Sequence, residues 1–252
     1  MRFKTLDDFG FRGKRVLLRV DLNSEISNGK VILGERIPGH ARTIRELLGR
    51  GARVVILAHQ SRQGEKDFIS LKQHAKLLNR FVKVKFVDDI LGKRAISEIL
   101  SLKNGESLLL ENVRTLKEEF SPSTRNDFVR ILAPLFDVYI NDAFSVSHRN
   151  QTSIVSFPKI LPSGIGRVMQ KEIENLEKVK SMKNCLYILG GAKADVNVIL
   201  MRGAREVLAG GLFGHACLVA NGVDLGFQNR ILKEQLYRIV RRRRRHEMEV
   251  FF

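Results

Sequence analysis

The chain has 252 residues, 44% of them hydrophobic, enough for one large domain or two modest ones. Its formal net charge of +17, from 44 Lys and Arg against 27 Asp and Glu, favours anionic partners: phosphorylated metabolites, nucleotides or nucleic acid. No run approaches a charge-free membrane span, and Met1–Asp8 has no apolar leader core, so neither a membrane protein nor a secreted one is expected. The two cysteines, Cys185 and Cys217, form no CxxC pattern, and no Cys/His spacing suggests zinc. One disulfide stays open, but a reduced, cytoplasmic setting is the expectation.

In chain order, Arg15–Asn23 (RVLLRVDLN) reads as a buried strand running into Asp21 and Asn23. Gly29 falls in a turn. Apolar residues at helical spacing (Ile37, Ala41, Ile44, Leu47, Leu48) predict a helix over 37–50, with Pro38 in its first turn and Gly51 as its stop. Arg53–His59 (RVVILAH) is a second buried strand, and it runs into Gln60-Ser61-Arg62. The pattern then gives a helix over 71–81, a short strand over 84–89 and a helix over 95–102. A strand over 107–110 leads into Glu111-Asn112-Val113-Arg114. Ser123 is placed to cap a helix through about Leu132, with Asn126 and Asp127 in its first turn. The strand Val138-Tyr139-Ile140 runs into Asn141, Asp142, His148 and Arg149. A Pro-punctuated loop from Phe157 to Gly164 follows, then a long amphipathic helix over 167–182. The strand Cys185–Leu189 ends in Gly190-Gly191-Ala192-Lys193.

Strands alternating with helices predict an α/β fold: βαβ units around a mostly parallel sheet. Ligands of such sheets bind outside the carboxyl ends of the strands. That rule gathers Asp21 and Asn23, His59 and Arg62, Asn112 and Arg114, and Asn141, Asp142, His148 and Arg149 on one rim. Guanidinium forks there suit a phosphate and a carboxylate, so a small, doubly anionic substrate is inferred. Each group also has a plainer reading. Arg36 follows Glu35 and could be half of a surface ion pair. Asp21 could cap the neighbouring loop, although Asn23 two residues on favours a positioning role, and Asp142 could be structural, holding the His148–Arg149 loop. His59 and His148 could be satisfied loop histidines. His40, His74 and His246 read as ordinary surface positions, and His215 as core packing of a second domain.

The same residues carry a resemblance. The motifs VDLN (20–23), ERIPGHARTI (35–44), AHQSR (58–62), LLLENVR (108–114), INDAFSVSHR (140–149), GRVMQKEI (166–173) and ILGGAK (188–193) stand in the order of phosphoglycerate kinases, most nearly their archaeal branch. GGLFGHACLVANGVDLG (210–226) also resembles that family. The resemblance implies phosphoryl transfer between ATP and 3-phosphoglycerate to give ADP and 1,3-bisphosphoglycerate, with Mg²⁺ carried on the nucleotide. It implies a Rossmann-like substrate domain over 1–166, an interdomain helix over 167–183, a nucleotide domain over 184–252 and closure about a hinge. Its substrate residues map onto Asp21, Asn23, Arg36, His59, Arg62, Arg114, His148 and Arg149. Arg36 matches the arginine credited with holding the carboxylate and stabilising the transferring phosphoryl group. Arg62, Arg114 and Arg149 match a basic patch that grips the 3-phosphate. Gly190, Gly191 and Lys193 match nucleotide-phosphate contacts, and Arg36 and Lys193 are the expected catalytic pair.

The sequence also departs from the family. The segment between Lys193 and Gly210 is shorter than the family's. The adenosine pocket, the later phosphate loops and the returning C-terminal segment have no counterpart after Gly226, so the second domain is expected to be incomplete. That opens a second class of function: a 3-phosphoglycerate-binding module with little or no kinase activity. The run Arg241–Arg245 matches nothing in the family. No aromatics interleave with it, so base stacking finds little support, and salt-dependent nucleic-acid binding is the weaker third reading.

Overall fold

The computed structural model describes residues 3–181, 185–191, 197, 200, 206–232 and 249–251. The chain divides into two compact units, Met1–Leu176 and Glu177–Phe252.

The first unit is built on a six-stranded sheet whose pairings are all parallel. Its strands are β1 (Arg15–Arg19), β4 (Arg53–Leu57), β5 (Lys85–Phe86), β6 (Ser107–Leu109), β7 (Val138–Asn141) and β8 (Ser163–Ile165), in the order β5-β6-β4-β1-β7-β8. The remaining pair, β2 (Ile26–Ser27) and β3 (Lys30–Val31), forms a hairpin closed by Asn28-Gly29, both at positive φ. That dipeptide favours the tight turn a two-residue hairpin needs. The chain steps from β1 to one side through β4, and later crosses from β6 to the other side at β7. This reversal puts the switch point beside β1, where a crevice opens at the carboxyl ends of the strands.

Both sheet faces are covered, which is why β1 and β4 read as continuous apolar runs rather than alternating ones. Val16, Leu18, Val54, Ile56 and Ile140 pack under α1 (Arg36–Gly49) and α2 (Lys72–Leu78). Leu17, Val55, Leu57, Leu108 and Tyr139 pack under α3 (Lys93–Ser101) and α4 (Asp127–Leu132). A short helix, α5 (Thr152–Val155), follows β7, and α6 (Arg167–Ser181) follows β8.

Several expectations change. The Phe157–Gly164 loop contains a 3₁₀ turn, Phe157–Lys159, and ends in the edge strand β8. Three residues with one glycine carry too little periodicity to announce a strand. The cap of α4 is Asn126, whose side chain accepts from the Val129 N–H at 3.1 Å. Ser123 instead accepts from Arg125 N–H in the preceding turn. His40 and His74 are buried, 3% and 0% exposed, not surface positions. Each lies on the inner face of its helix, and each ring finds a polar partner there.

The second unit has a three-stranded parallel sheet, β9 (Leu186–Leu189), β10 (Glu206–Ala209) and β11 (Glu249–Phe251), ordered β11-β10-β9. Leu189, Val207, Phe213, Ala216, Cys217 and Leu232 form its small core, centred on the helix α7 (Gly211–Ala220). His215 is exposed on α7, so it does not belong to that core. Cys185 and Cys217 are unpaired, and burial pushes the Cys217 thiol up to about 11. No helix among the described residues is long and apolar enough to cross a membrane. His246 and Arg241–Arg245 lie outside the described residues.

Candidate functional site: a basic cleft at the strand ends

The site is assembled from four strand ends of the first unit. Beyond β1 the chain stays buried through Leu22, which places Asp21 below the surface. One Asp21 oxygen accepts from the Asn23 N–H at 2.9 Å, closing a tight turn. The other accepts from the Ser145 hydroxyl and lies 3.1 Å from Arg36 Nη1. Arg36 opens α1 and also donates to the Asn23 carbonyl at 2.6 Å. Its anionic partner is thus Asp21 and not the neighbouring Glu35, and the guanidinium is left half-exposed above a buried carboxylate.

Beyond β4, His59 is 2% exposed. Its Nδ1 lies 3.0 Å from Arg19 Nη2. A guanidinium only donates, so Nδ1 is the acceptor and the proton sits on Nε2. Burial, and then the charges of Arg19, Arg114, Arg149 and Arg36, depress the His59 pKa far below the usual histidine range. His59 is therefore a neutral N–H donor. Two residues on, Ser61 adopts a left-handed backbone, φ 51°. Its N–H reaches Asn23 Oδ1 at 2.7 Å and its carbonyl accepts from Arg114 Nη1, and these contacts hold the unfavourable geometry.

Beyond β6, Asn112 fastens the loop by donating to the Gln60 carbonyl at 2.9 Å. Arg114 is 3% exposed, yet its Nε and Nη2 have no protein partner. Burial, then the nearby Arg149 and Arg19 charges, bring its pKa down to about 10. Beyond β7, Arg149 is half-buried, and its Nε also lacks a partner.

These groups converge on a cleft of about 560 Å³ lined by Asn23, His59, Arg62, Lys66, Arg114 and Arg149, among others. Two exposed carboxylates, Glu65 and Asp67, also line it. Buried guanidinium N–H groups without protein acceptors, crowded among like charges, suit the cleft chemically to a compact polyanion.

Of the expected substrate residues, Asn23, His59, Arg62, Arg114 and Arg149 therefore meet. Asp21 lies beneath them, and Arg36 stands on Asp21 without lining the cleft. His148 is exposed and does not line it. Gly190 and Gly191 follow β9 in the second unit, with Gly191 at φ 90°. Lys193 lies outside the described residues.

Asp142 does not hold the His148–Arg149 loop in the way its sequence position suggests. Its carboxylate turns back toward α1 and α6, taking His40 Nδ1 at 2.9 Å and the Val168 and Met169 N–H groups at 2.8 and 3.2 Å.

One group escaped the sequence reading. Arg19 is fully buried on the α3/α4 side of β1, and it donates to Ser153 Oγ at 3.0 Å. Ser153 in turn donates to the buried Glu119 through both its hydroxyl and its N–H. Burial lowers the Arg19 pKa and raises that of Glu119. The signal for Arg19 was present, a charge inside an apolar run. Nothing local distinguishes Glu119 from Glu118.

A family model described as phosphoglycerate kinase matches residues 6–250. The phosphoglycerate kinase of Methanosarcina mazei is 46% identical over 243 residues, covering 90% of this chain and 58% of the relative. That of Saccharolobus solfataricus is 42% identical, covering 92% of this chain and 61% of the relative. The crystal structure of phosphoglycerate kinase from Pyrococcus horikoshii OT3 superposes with a TM-score of 0.83 at 36% identity, covering 94% of this chain and 63% of that one. The chain thus spans about 60% of the length of the relatives it matches. Over that span, fold and sequence agree, and the chain belongs to the phosphoglycerate kinase family.

Proposed function

We propose that the protein binds 3-phosphoglycerate in the cleft of its first unit and exchanges a phosphoryl group between that substrate and ATP. The observation that carries this reading is the cleft that gathers Arg62, Arg114, Arg149 and the His59 donor, with buried N–H groups of Arg114 and Arg149 left without a protein partner. Arg62, Arg114 and Arg149 are assigned to the 3-phosphate. Arg36, tethered to Asp21 but half-exposed, is assigned to the substrate carboxylate and the phosphoryl group in transit. His148, exposed beside Arg149, would join only if the loop closes over substrate. In transfer, a carboxylate oxygen of 3-phosphoglycerate attacks the γ-phosphorus of ATP as the bond to ADP breaks. Such a reaction needs alignment and charge neutralisation rather than a covalent nucleophile.

The nucleotide is assigned to the second unit. There the glycines at 190 and 191, just past the end of β9, are assigned to let phosphate approach the backbone, and Lys193 to add a charge. Mg²⁺ enters on the nucleotide as part of the substrate. The two unpaired cysteines are in keeping with a cytoplasmic reaction.

A coupled assay with 3-phosphoglycerate and Mg-ATP tests the reading. Turnover that falls roughly 100-fold or more in Arg36→Ala is the expected outcome. Because every residue lining the cleft belongs to the first unit, binding can stand without catalysis. Saturable 3-phosphoglycerate binding with no turnover would mark the chain as a binding module.

A further inference from the structure

His40 plays no part in the cleft's lining, yet it is 3% exposed and makes a polar contact on each side of its ring. The Asp21 N–H donates to Nε2 at 3.2 Å, so Nε2 carries no proton. The proton is therefore on Nδ1, where it is donated to Asp142 Oδ2 at 2.9 Å. Asp142 uses its other oxygen to accept the Val168 and Met169 N–H groups in the first turn of α6. Any Cβ at Gly166 would overlap this carboxyl group, so the glycine keeps the carboxylate close enough to reach both partners. A single hydrogen-bond chain thus runs from the start of α6, through Asp142 and His40, to the backbone of Asp21. The Asp21 side chain is the one that holds Arg36.

We propose that His40 is a positioning residue of the anion site: fixed in its Nδ1–H tautomer by Asp142, it seats Asp21 and so aims the Arg36 guanidinium. The inference rests on the reading of the cleft as a 3-phosphoglycerate site only for its effect on binding. The tautomer and the seating of Asp21 are properties of the ligand-free chain.

The discriminating variant is Asp142→Asn. A carboxamide oxygen still caps α6, but its NH₂ faces His40 and turns Nδ1 into an acceptor. The imidazole proton then moves to Nε2 and meets the Asp21 N–H, donor against donor. In His40→Asn, the shorter amide still donates to Asp142 but has nothing at the Nε2 position. Imidazole ¹⁵N spectra of the ligand-free full chain are expected to show one histidine as a neutral Nδ1–H ring that switches to Nε2–H in Asp142→Asn. The Asp21 amide resonance is expected to shift in both variants. Titration with 3-phosphoglycerate is expected to show affinity reduced about tenfold in both.

A parent His40 found as Nε2–H or as imidazolium overturns the proposal, as does parental 3-phosphoglycerate affinity in His40→Asn. If the parent chain binds no 3-phosphoglycerate, the functional reading falls. The tautomer and the Asp21 amide shift then decide the role of His40 by themselves. Should a variant fail to fold, the tautomer of the parent ring still tests the proposal, with Nδ1–H supporting it and either other form overturning it.

Discussion

At the residue scale, the cleft is held in an unfavourable electrostatic state that ligand would relieve. Arg149 depresses the pKa of Arg19, His59 and Arg114 alike, and its own Nε has no partner. Arg149→Ala is therefore expected to leave the ligand-free melting temperature unchanged or higher, while 3-phosphoglycerate affinity falls about tenfold or more. Isothermal titration and thermal melting, run side by side, check both halves. His74 gives a pH prediction. Its Nε2 meets Gln60 Oε1 at 3.0 Å, its Nδ1 is buried without a partner, and burial pushes its pKa down to about 4. The unfolded chain takes up this proton near pH 6.5, and the folded chain only near pH 4. Its contribution to stability is thus complete above about pH 6.5 and is lost progressively as pH falls toward 4, by at most about 3 kcal/mol. His59, depressed in the same direction, adds to that slope. Denaturant melts across this window should be visibly flatter for His74→Gln than for the parent.

At the scale of elements, the loops that build the site are fixed by short polar devices rather than by apolar packing. Ser61 sits left-handed because Asn23 and Arg114 grip its two backbone groups. Asn126 starts α4 with a side-chain cap, and its amide also reaches the Glu118 and Ser121 carbonyls. Asn126→Ala is expected to cost about 1 kcal/mol or more, and Ser123→Ala much less, in chemical denaturation. Equal costs would return the cap to Ser123. The start of α6 is fastened in a similar way. Arg167 reaches Asp7 at 2.7–2.8 Å and Glu46 at 2.7–2.9 Å, and these contacts lower both carboxylate pKa values. The helix thus begins from a fixed point on the first unit.

At the scale of the whole molecule, the two units differ in how well each is filled. The first buries apolar residues on both faces of a six-stranded sheet. The second has one small core among its described residues. On the other face of its sheet, Leu186, Ile188 and Leu208 remain exposed, Ile188 to 77%. Parallel sheets are ordinarily covered on both faces, so this unit has less burial to oppose its chain entropy. Limited proteolysis is expected to cut first beyond residue 184, leaving a resistant fragment that contains the whole cleft. Equal resistance in both parts would count against the imbalance. The resistant fragment is also expected to retain 3-phosphoglycerate binding, since all residues lining the cleft lie between Asn23 and Arg149.

The sequence by itself determined the alternation of strands and helices and the strand ends that carry polar groups. Both are local patterns: an apolar run, a helical spacing, an Asp or Arg just past the run. It also placed Asn23, His59, Arg62, Arg114 and Arg149, which line one cleft, at strand ends, because polar groups just past a buried apolar run stand out from it. Only the tertiary structure decided who pairs with whom. His40 and Asp142 are 102 positions apart, Arg19 and Ser153 are 134 apart, and Arg36 takes Asp21 rather than adjacent Glu35. A buried polar group must find a partner, but which one it finds depends on the sheet order that brings distant strand ends together. The edge strand β8, the buried rings of His40 and His74 and the exposed ring of His215 share that dependence. Their surroundings are made by other parts of the chain, so no window of sequence around them could have shown what they touch.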